Sequence, residues 1–120
     1  MRIKRIGARF YQTEAGREAV RDWLLGLSDQ DRKIVGQDIA RVEFGWPIGM
    51  PVCEAVQGYP KLMVIRSTIK DGKVEARTYF AIERAEMVLL HGNEGKTDQN
   101  ADIEKANDRW KSYKQRKRRS

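Results

Sequence analysis

The sequence predicts an α+β domain in which an antiparallel sheet packs against an N-terminal helical hairpin and a C-terminal helix, in the order β-α-α-β-β-β-α. Two helical stripes between Thr13 and Phe44, a switch to period two from Leu62 onward, and an Asp71-Gly72 hairpin signal carry that prediction. A chain of 120 residues supports one such domain. It is expected over residues 1–114, with a basic tail over residues 115–120.

Residues 1–12, MRIKRIGARFYQ, set Ile3, Ile6 and Phe10 among basic residues and suit a first strand. Thr13 offers a helix cap, and Ala19, Val20, Trp23, Leu24 and Leu27 share one helical face, with Gly26 weakening the last turn. Ser28 with Asp31 three residues on resembles a capping box, and Ile34, Val35, Ile39 and Val42 carry a second stripe to Phe44. The run GWPIGMP, residues 45–51, ends that helix and opens a connection to about Pro60. LMVIRSTI, VEARTYFAIE and MVLLHG then read as three strands. A loop of two or of four residues around Asp71-Gly72 pairs the same residues, those whose numbers sum to 143. Met63, Ile65, Ile69, Val74 and Phe80 then share one face with Ser67, Ala76 and Thr78, while Arg66, Thr68, Glu75, Arg77 and Tyr79 share the other with Leu62, Val64 and Ala81. Last, Ile103, Ala106, Trp110 and Tyr113 form the docking stripe of an amphipathic helix.

Lys and Arg number 24 against 17 acids, a net charge of +7, and the final KSYKQRKRRS holds six bases and no acid, leaving residues 1–110 at only +1. Such a block is either a solvated tail or a phosphate-seeking arm, since counterion release gives affinity for nucleic acid without sequence preference. A single Cys53 excludes an intramolecular disulfide, and Cys53 with the single His91 gives no zinc ligand set; no metal or cofactor is expected. No apolar run approaches the ~20 residues of a membrane span, the mean hydropathy is −0.71, and the start is not signal-like. The expected compartment is the cytoplasm, with no membrane partner. A P-loop, a GxGxxG run, a CxxC pair and a serine nucleophile elbow are all missing, which disfavours large classes of nucleotide-binding and covalent enzymes.

In the expected register Arg66 directly faces Arg77. Opposed like charges on a sheet cost roughly a few tenths to 1 kcal/mol unless something neutralises them. Either Glu75 or another acid does so and the face is merely soluble, or the two guanidinium forks form a phosphate cradle that stabilises transition-state charge. Tyr79, two residues from Arg77, is either a partly buried ring or a base-stacking and proton-transferring group. His91 ends the last strand and is either a core-edge residue bonded to its surroundings or a general acid or base titrating near neutrality. Lys96, in the loop NEGKTDQN, either swings over the sheet or is an inert surface lysine.

The run TEAGREAVRDWLLGLSDQDRKIVGQDIARVEFGWPIGMPV, followed by LMVIRSTIKDGKVEARTYF and MVLLHG, resembles the HigB-like branch of the RelE/ParE toxin superfamily, including its phage-borne relatives. The resemblance covers roughly residues 10–92 and rests mainly on VEFGWPIGMP and its spacing to MVLLHG. It implies a small RelE-like domain, and an endoribonuclease that cuts mRNA, usually on the ribosome. It also implies a cognate helix-turn-helix antitoxin that holds the toxin inactive in a hetero-oligomer. Arg66 matches the arginine ending the family's Trp-Glu-Leu/Val-Arg motif, Arg77 the arginine of the next strand, and His91-Gly92 the family's His-Gly. The family's Trp-Glu is Met63-Val64 here, and its Phe-x-Lys-Lys-Thr is Asn93-Glu94-Gly95-Lys96-Thr97, so an aromatic and a lysine are missing. Those departures motivate a second expectation, a non-catalytic toxin-fold protein serving as an antitoxin-bound co-repressor or phage accessory factor. A gyrase-directed toxin ranks below both.

Overall fold

Ser28 starts the longest N-terminal helix as the capping pattern predicts: its Oγ accepts from the Asp31 backbone N–H at 3.1 Å, satisfying one of the orphan donors of the first turn. The computed structural model describes residues 3–95 and 98–119. Its elements are β1 (Gly7–Phe10), α1 (Ala19–Gly26), α2 (Asp29–Gly45), β2 (Cys53–Val56), β3 (Tyr59–Ile69), β4 (Val74–Glu83), β5 (Glu86–Glu94) and α3 (Gln99–Arg119). One five-stranded sheet runs in the order β1-β5-β4-β3-β2.

The α+β class holds, with three corrections to the expected arrangement. The sheet is mixed, because β1 lies parallel to β5, Gly7 opposite Glu86 and Phe10 opposite Leu89. That edge is secured from α2: Glu43 Oε2 accepts from the Ala8 N–H at 2.8 Å and pairs with Lys4 Nζ at 3.2 Å. A further strand, β2, occupies part of the expected connection to Pro60 and pairs antiparallel with β3, Cys53 opposite Ile65. Four residues are too few for a period to show in sequence. Finally, α3 runs unbroken to Arg119, so the expected boundary at residue 114 falls inside a helix and residues 115–119 extend it. Cations in a last helical turn complement the negative end of the helix dipole.

Thr13 does not cap α1. Its Oγ1 accepts from the Arg17 N–H at 3.1 Å and closes a turn ahead of the helix, which begins at Ala19. The carbonyls at the far end of α1 find their donors on α2: Arg32 Nε donates to the Leu24 carbonyl and Nη2 to that of Leu27, each at 3.0 Å. The guanidinium thus caps one helix from the next and fixes the bend between them.

The sheet divides two cores. Val20, Val35, Ile39 and Val42 of the N-terminal helices pack on Ile65, Ile69, Phe80 and Met87 at the back. Ala106 and Trp110 of α3 pack on Leu62, Val64, Tyr79, Val88 and Leu90 at the front. The β3–β4 register is the expected one, with Met63 opposite Phe80 and Arg66 opposite Arg77. Its loop is the four-residue alternative, Lys70 to Lys73, with Lys70, Asp71 and Gly72 all at positive φ. Asp31 Oδ1 accepts from the Lys70 N–H at 3.1 Å, so α2 supports this turn through the same residue whose N–H donates to the Ser28 cap. Among the described residues no helix is long and apolar enough to cross a membrane.

Candidate functional site

Arg66 and Arg77 stand side by side on the front of the sheet, and neither is bare. Glu75 Oε2 lies 2.9 Å from Arg77 Nη2 and 3.6 Å from Arg66 Nε, while Glu54 of β2 pairs with Arg66 Nη1. Arg77 Nη1 also donates to the Gly95 carbonyl at 3.5 Å. Two carboxylates therefore offset two guanidiniums, which removes the repulsion that their opposition would otherwise create. Glu75 was the acid that sequence reasoning offered; Glu54 was not, because it lies on the strand that periodicity missed.

Two donors at this place remain without an acceptor among the described residues: Arg77 Nε and the Tyr79 hydroxyl. Tyr79 is completely buried beneath α3, and burial pushes its hydroxyl above the ordinary tyrosine range, with Arg77 pulling the other way. It is a proton-bearing donor at neutral pH. A cleft of about 290 Å³ opens beside it, bordered by Glu54, Gln57, Arg66, Tyr79, Gln99 and Ile103. Buried donors are nearly always satisfied in folded proteins, so the Tyr79 hydroxyl at the cleft and Arg77 Nε next to it in the sheet are two donors to which an acceptor could bind.

His91 reaches the front through a β-bulge. Phe80 pairs with Leu89 but Tyr79 pairs with His91, so Leu90 is an extra residue on β5 with no partner on β4. Were the ladder to run on unbulged from the tight turn at Arg84-Ala85, Leu90 would pair with Tyr79 and His91 would lie opposite Thr78, facing the N-terminal helices; the bulge reverses this. Gly92 takes the place opposite Thr78 and lies against the Trp23 ring, where no Cβ would fit. The imidazole stacks on Tyr79 with centroids 6.1 Å apart and planes at 24°.

Both imidazole nitrogens are occupied. Nε2 lies 3.0 Å from Asp102 Oδ1, and Nδ1 lies 3.5 Å from Arg109 Nη1. An arginine only donates, so the arrangement assigns the neutral tautomer with its proton on Nε2, donated to Asp102. Burial lowers the imidazole's affinity for a proton, and this outweighs the opposing pull of Asp102. Asn93 Nδ2 donates to the same Asp102 oxygen at 2.9 Å. Here His91 joins β5 to α3, and of its two sequence readings the geometry matches the bonded, core-edge one.

Asp102 and Arg109 were missed in the sequence, although Asp102 left a signal. It sits four residues before Ala106 and eight before Trp110, a carboxylate on the apolar stripe of its helix. A buried acid at such a position requires donors, and His91 and Asn93 supply them. Lys96 lies outside the described residues, so its position relative to the arginines is not part of this geometry. Arg66, Arg77 and Tyr79 are thus brought together at the front, with His91 beneath the helix next to Tyr79. No family model, no curated protein and no solved structure matches the chain.

Proposed function

We propose that the chain is the toxin of a type II toxin–antitoxin pair, a metal-independent endoribonuclease that cuts mRNA on the ribosome and is held in check by a helix-turn-helix antitoxin. The observation that carries this reading is the donor set at the front of the sheet: Arg66 opposite Arg77, with Arg77 Nε and the Tyr79 hydroxyl lacking acceptors. A phosphodiester supplies the acceptors that such a set requires.

In the reaction an RNA 2′-hydroxyl attacks the adjacent phosphorus while the bond from phosphorus to the 5′-oxygen breaks, leaving a 2′,3′-cyclic phosphate and a 5′-hydroxyl. Arg66 and Arg77 hold the non-bridging oxygens and meet the charge that grows on them. The entering phosphate displaces Glu75 from the two guanidiniums, and the released carboxylate takes the proton of the attacking hydroxyl. Tyr79 donates a hydrogen bond to the leaving oxygen, which acquires its proton from solvent or from Lys96. His91 keeps its proton on Nε2 and supports Tyr79 from below. A site with so few free groups depends on substrate placement, and correct placement alone contributes several kcal/mol, which fits a requirement for the ribosome.

A second reading, a non-catalytic toxin-fold protein acting as an antitoxin-bound co-repressor or phage accessory factor, draws on the salt bridges from Glu54 and Glu75 and on the fully engaged His91. Inducible expression of wild type and of Arg66→Ala/Arg77→Ala, scoring growth and mapping mRNA 5′ ends in the same cultures, separates the two. Growth arrest with new ends in translated messages, both absent in the folded double variant, is the expected result. A harmless, folded wild type selects the second reading.

A further inference from the structure

Six of the eight cations of α3 fall into two groups with different surroundings. Arg109, Arg116 and Lys117 turn inward: Arg109 donates to the Leu90 carbonyl at 2.7 Å, Arg116 lies over the Tyr11 ring, and Lys117 pairs with Glu83 and Glu86. Lys111, Lys114 and Arg118 line the opposite flank, and together with Lys61 of β3 they border a groove of about 640 Å³ that also contains Tyr59 and Trp110. None of these four cations has a carboxylate partner among the described residues, and no acidic side chain lines the groove. Four unneutralised cations facing one concavity repel one another, and a polyanion relieves that repulsion.

The neutral groups narrow the class of anion. Trp110 is 5% exposed, and its Nε1 proton has no acceptor among the described residues. Half-buried Tyr59 offers a ring on which a base can stack. Asn107 and Gln115 add amides that both donate and accept, matching the mixed edges of bases and ribose, whereas an acidic peptide offers carboxylate acceptors alone. On the helix, Lys111, Lys114 and Arg118 are spaced about 4.5 and 6 Å along the axis. The groove also continues the arginine cleft: Val56 and Gln57 border the cleft and Gly58 and Tyr59 the groove, and Ile103 of the cleft lies one helical turn before Asn107 of the groove.

We propose that the groove between the β2–β3 turn and the C-terminal half of α3 binds single-stranded RNA by its phosphate backbone and leads the strand toward Arg66 and Arg77. The lead toward the arginines rests on the proposed action on RNA; the binding itself does not. The test is fluorescence anisotropy of a labelled twelve-nucleotide single-stranded RNA with the purified full chain across a series of KCl concentrations. Lys111→Gln/Lys114→Gln/Arg118→Gln weakens binding at least tenfold and lowers the salt slope by about 2, from three lost contacts at about 0.7 each. Lys61→Gln, on a strand instead of the helix, weakens it about threefold and covers the case in which the triple variant misfolds. Lys33→Gln/Lys73→Gln/Arg84→Gln removes the same charge from other exposed surfaces and leaves affinity within about twofold. Equal weakening by that control, failure of the wild type to bind, or displacement of RNA by an equal concentration of a twelve-residue glutamate peptide overturns the proposal. Binding that survives in a chain found to cut no message in cells leaves this inference standing while removing the endonuclease reading.

Discussion

Arg66 and Arg77 occupy opposed positions on β3 and β4, and one carboxylate, Glu75, reaches both guanidiniums, at 3.6 Å and 2.9 Å. The contact is partly exposed, so its contribution to folding is small. Glu75→Gln leaves Glu54 alone to offset the two opposed cations and lowers stability by about 0.5 kcal/mol at low salt. Inorganic phosphate restores the urea midpoint of this variant more than that of the wild type. A midpoint that ignores phosphate in both proteins contradicts a phosphate cradle.

His91 gives the fold a pH dependence of definite sign. Its proton affinity is lowered in the folded state by burial, so between pH 7.5 and 5.5 the unfolded chain binds more protons than the folded one, and stability falls on acidification through the ordinary histidine range. The chain has one histidine, so comparison with a His91 variant separates its contribution from those of the α-amino group and the carboxylates. His91→Gln keeps a donor toward Asp102 and carries no titrating charge. The stability of the variant, read from urea denaturation, is expected to depend less steeply on pH across the window than that of the wild type, and an equally steep dependence in both contradicts the assignment.

Gly92 is required by Trp23. A methyl group there overlaps the indole, so Gly92→Ala costs about 3 kcal/mol through overpacking, read as a lowered denaturation midpoint. Trp23→Leu in the same chain recovers part of that loss. If the double variant is as unstable as the sum of the singles, the contact is not the cause.

Gly36 is the opposite case. It lies exposed in the middle of α2 with open space around it, so Gly36→Ala stabilises the chain by about 0.5–1 kcal/mol through helix propensity. Thermal unfolding shows this as a Tm raised by a few degrees.

Much of the frame was legible because it repeats. The stripes of the helices, the Ser28 cap and the pairing of Arg66 with Arg77 follow from periods and turn chemistry and agree with the structure. What was hidden depends on single residues or distant partners. The bulge at Leu90 shifts the register of β5 by one residue, and with it the face of His91, with no mark in composition. β2 is too short to show a period, so Glu54 could not be placed beside Arg66. Parallel pairing of β1 with β5 joins segments about eighty residues apart and is fixed by the Glu43 side chain. The basic end was visible as charge, but its division into an inward-bonded row and a row without carboxylate partners among the described residues appears only once α3 is docked.

The endonuclease reading stands or falls on adding the purified chain to ribosomes translating a short defined message and mapping the 5′ ends produced. Discrete new ends within the translated region carrying 5′-hydroxyls are expected, with none from Arg77→Ala, whose circular dichroism matches the wild type. An intact message with the folded wild-type chain, or identical ends from Arg77→Ala, contradicts it.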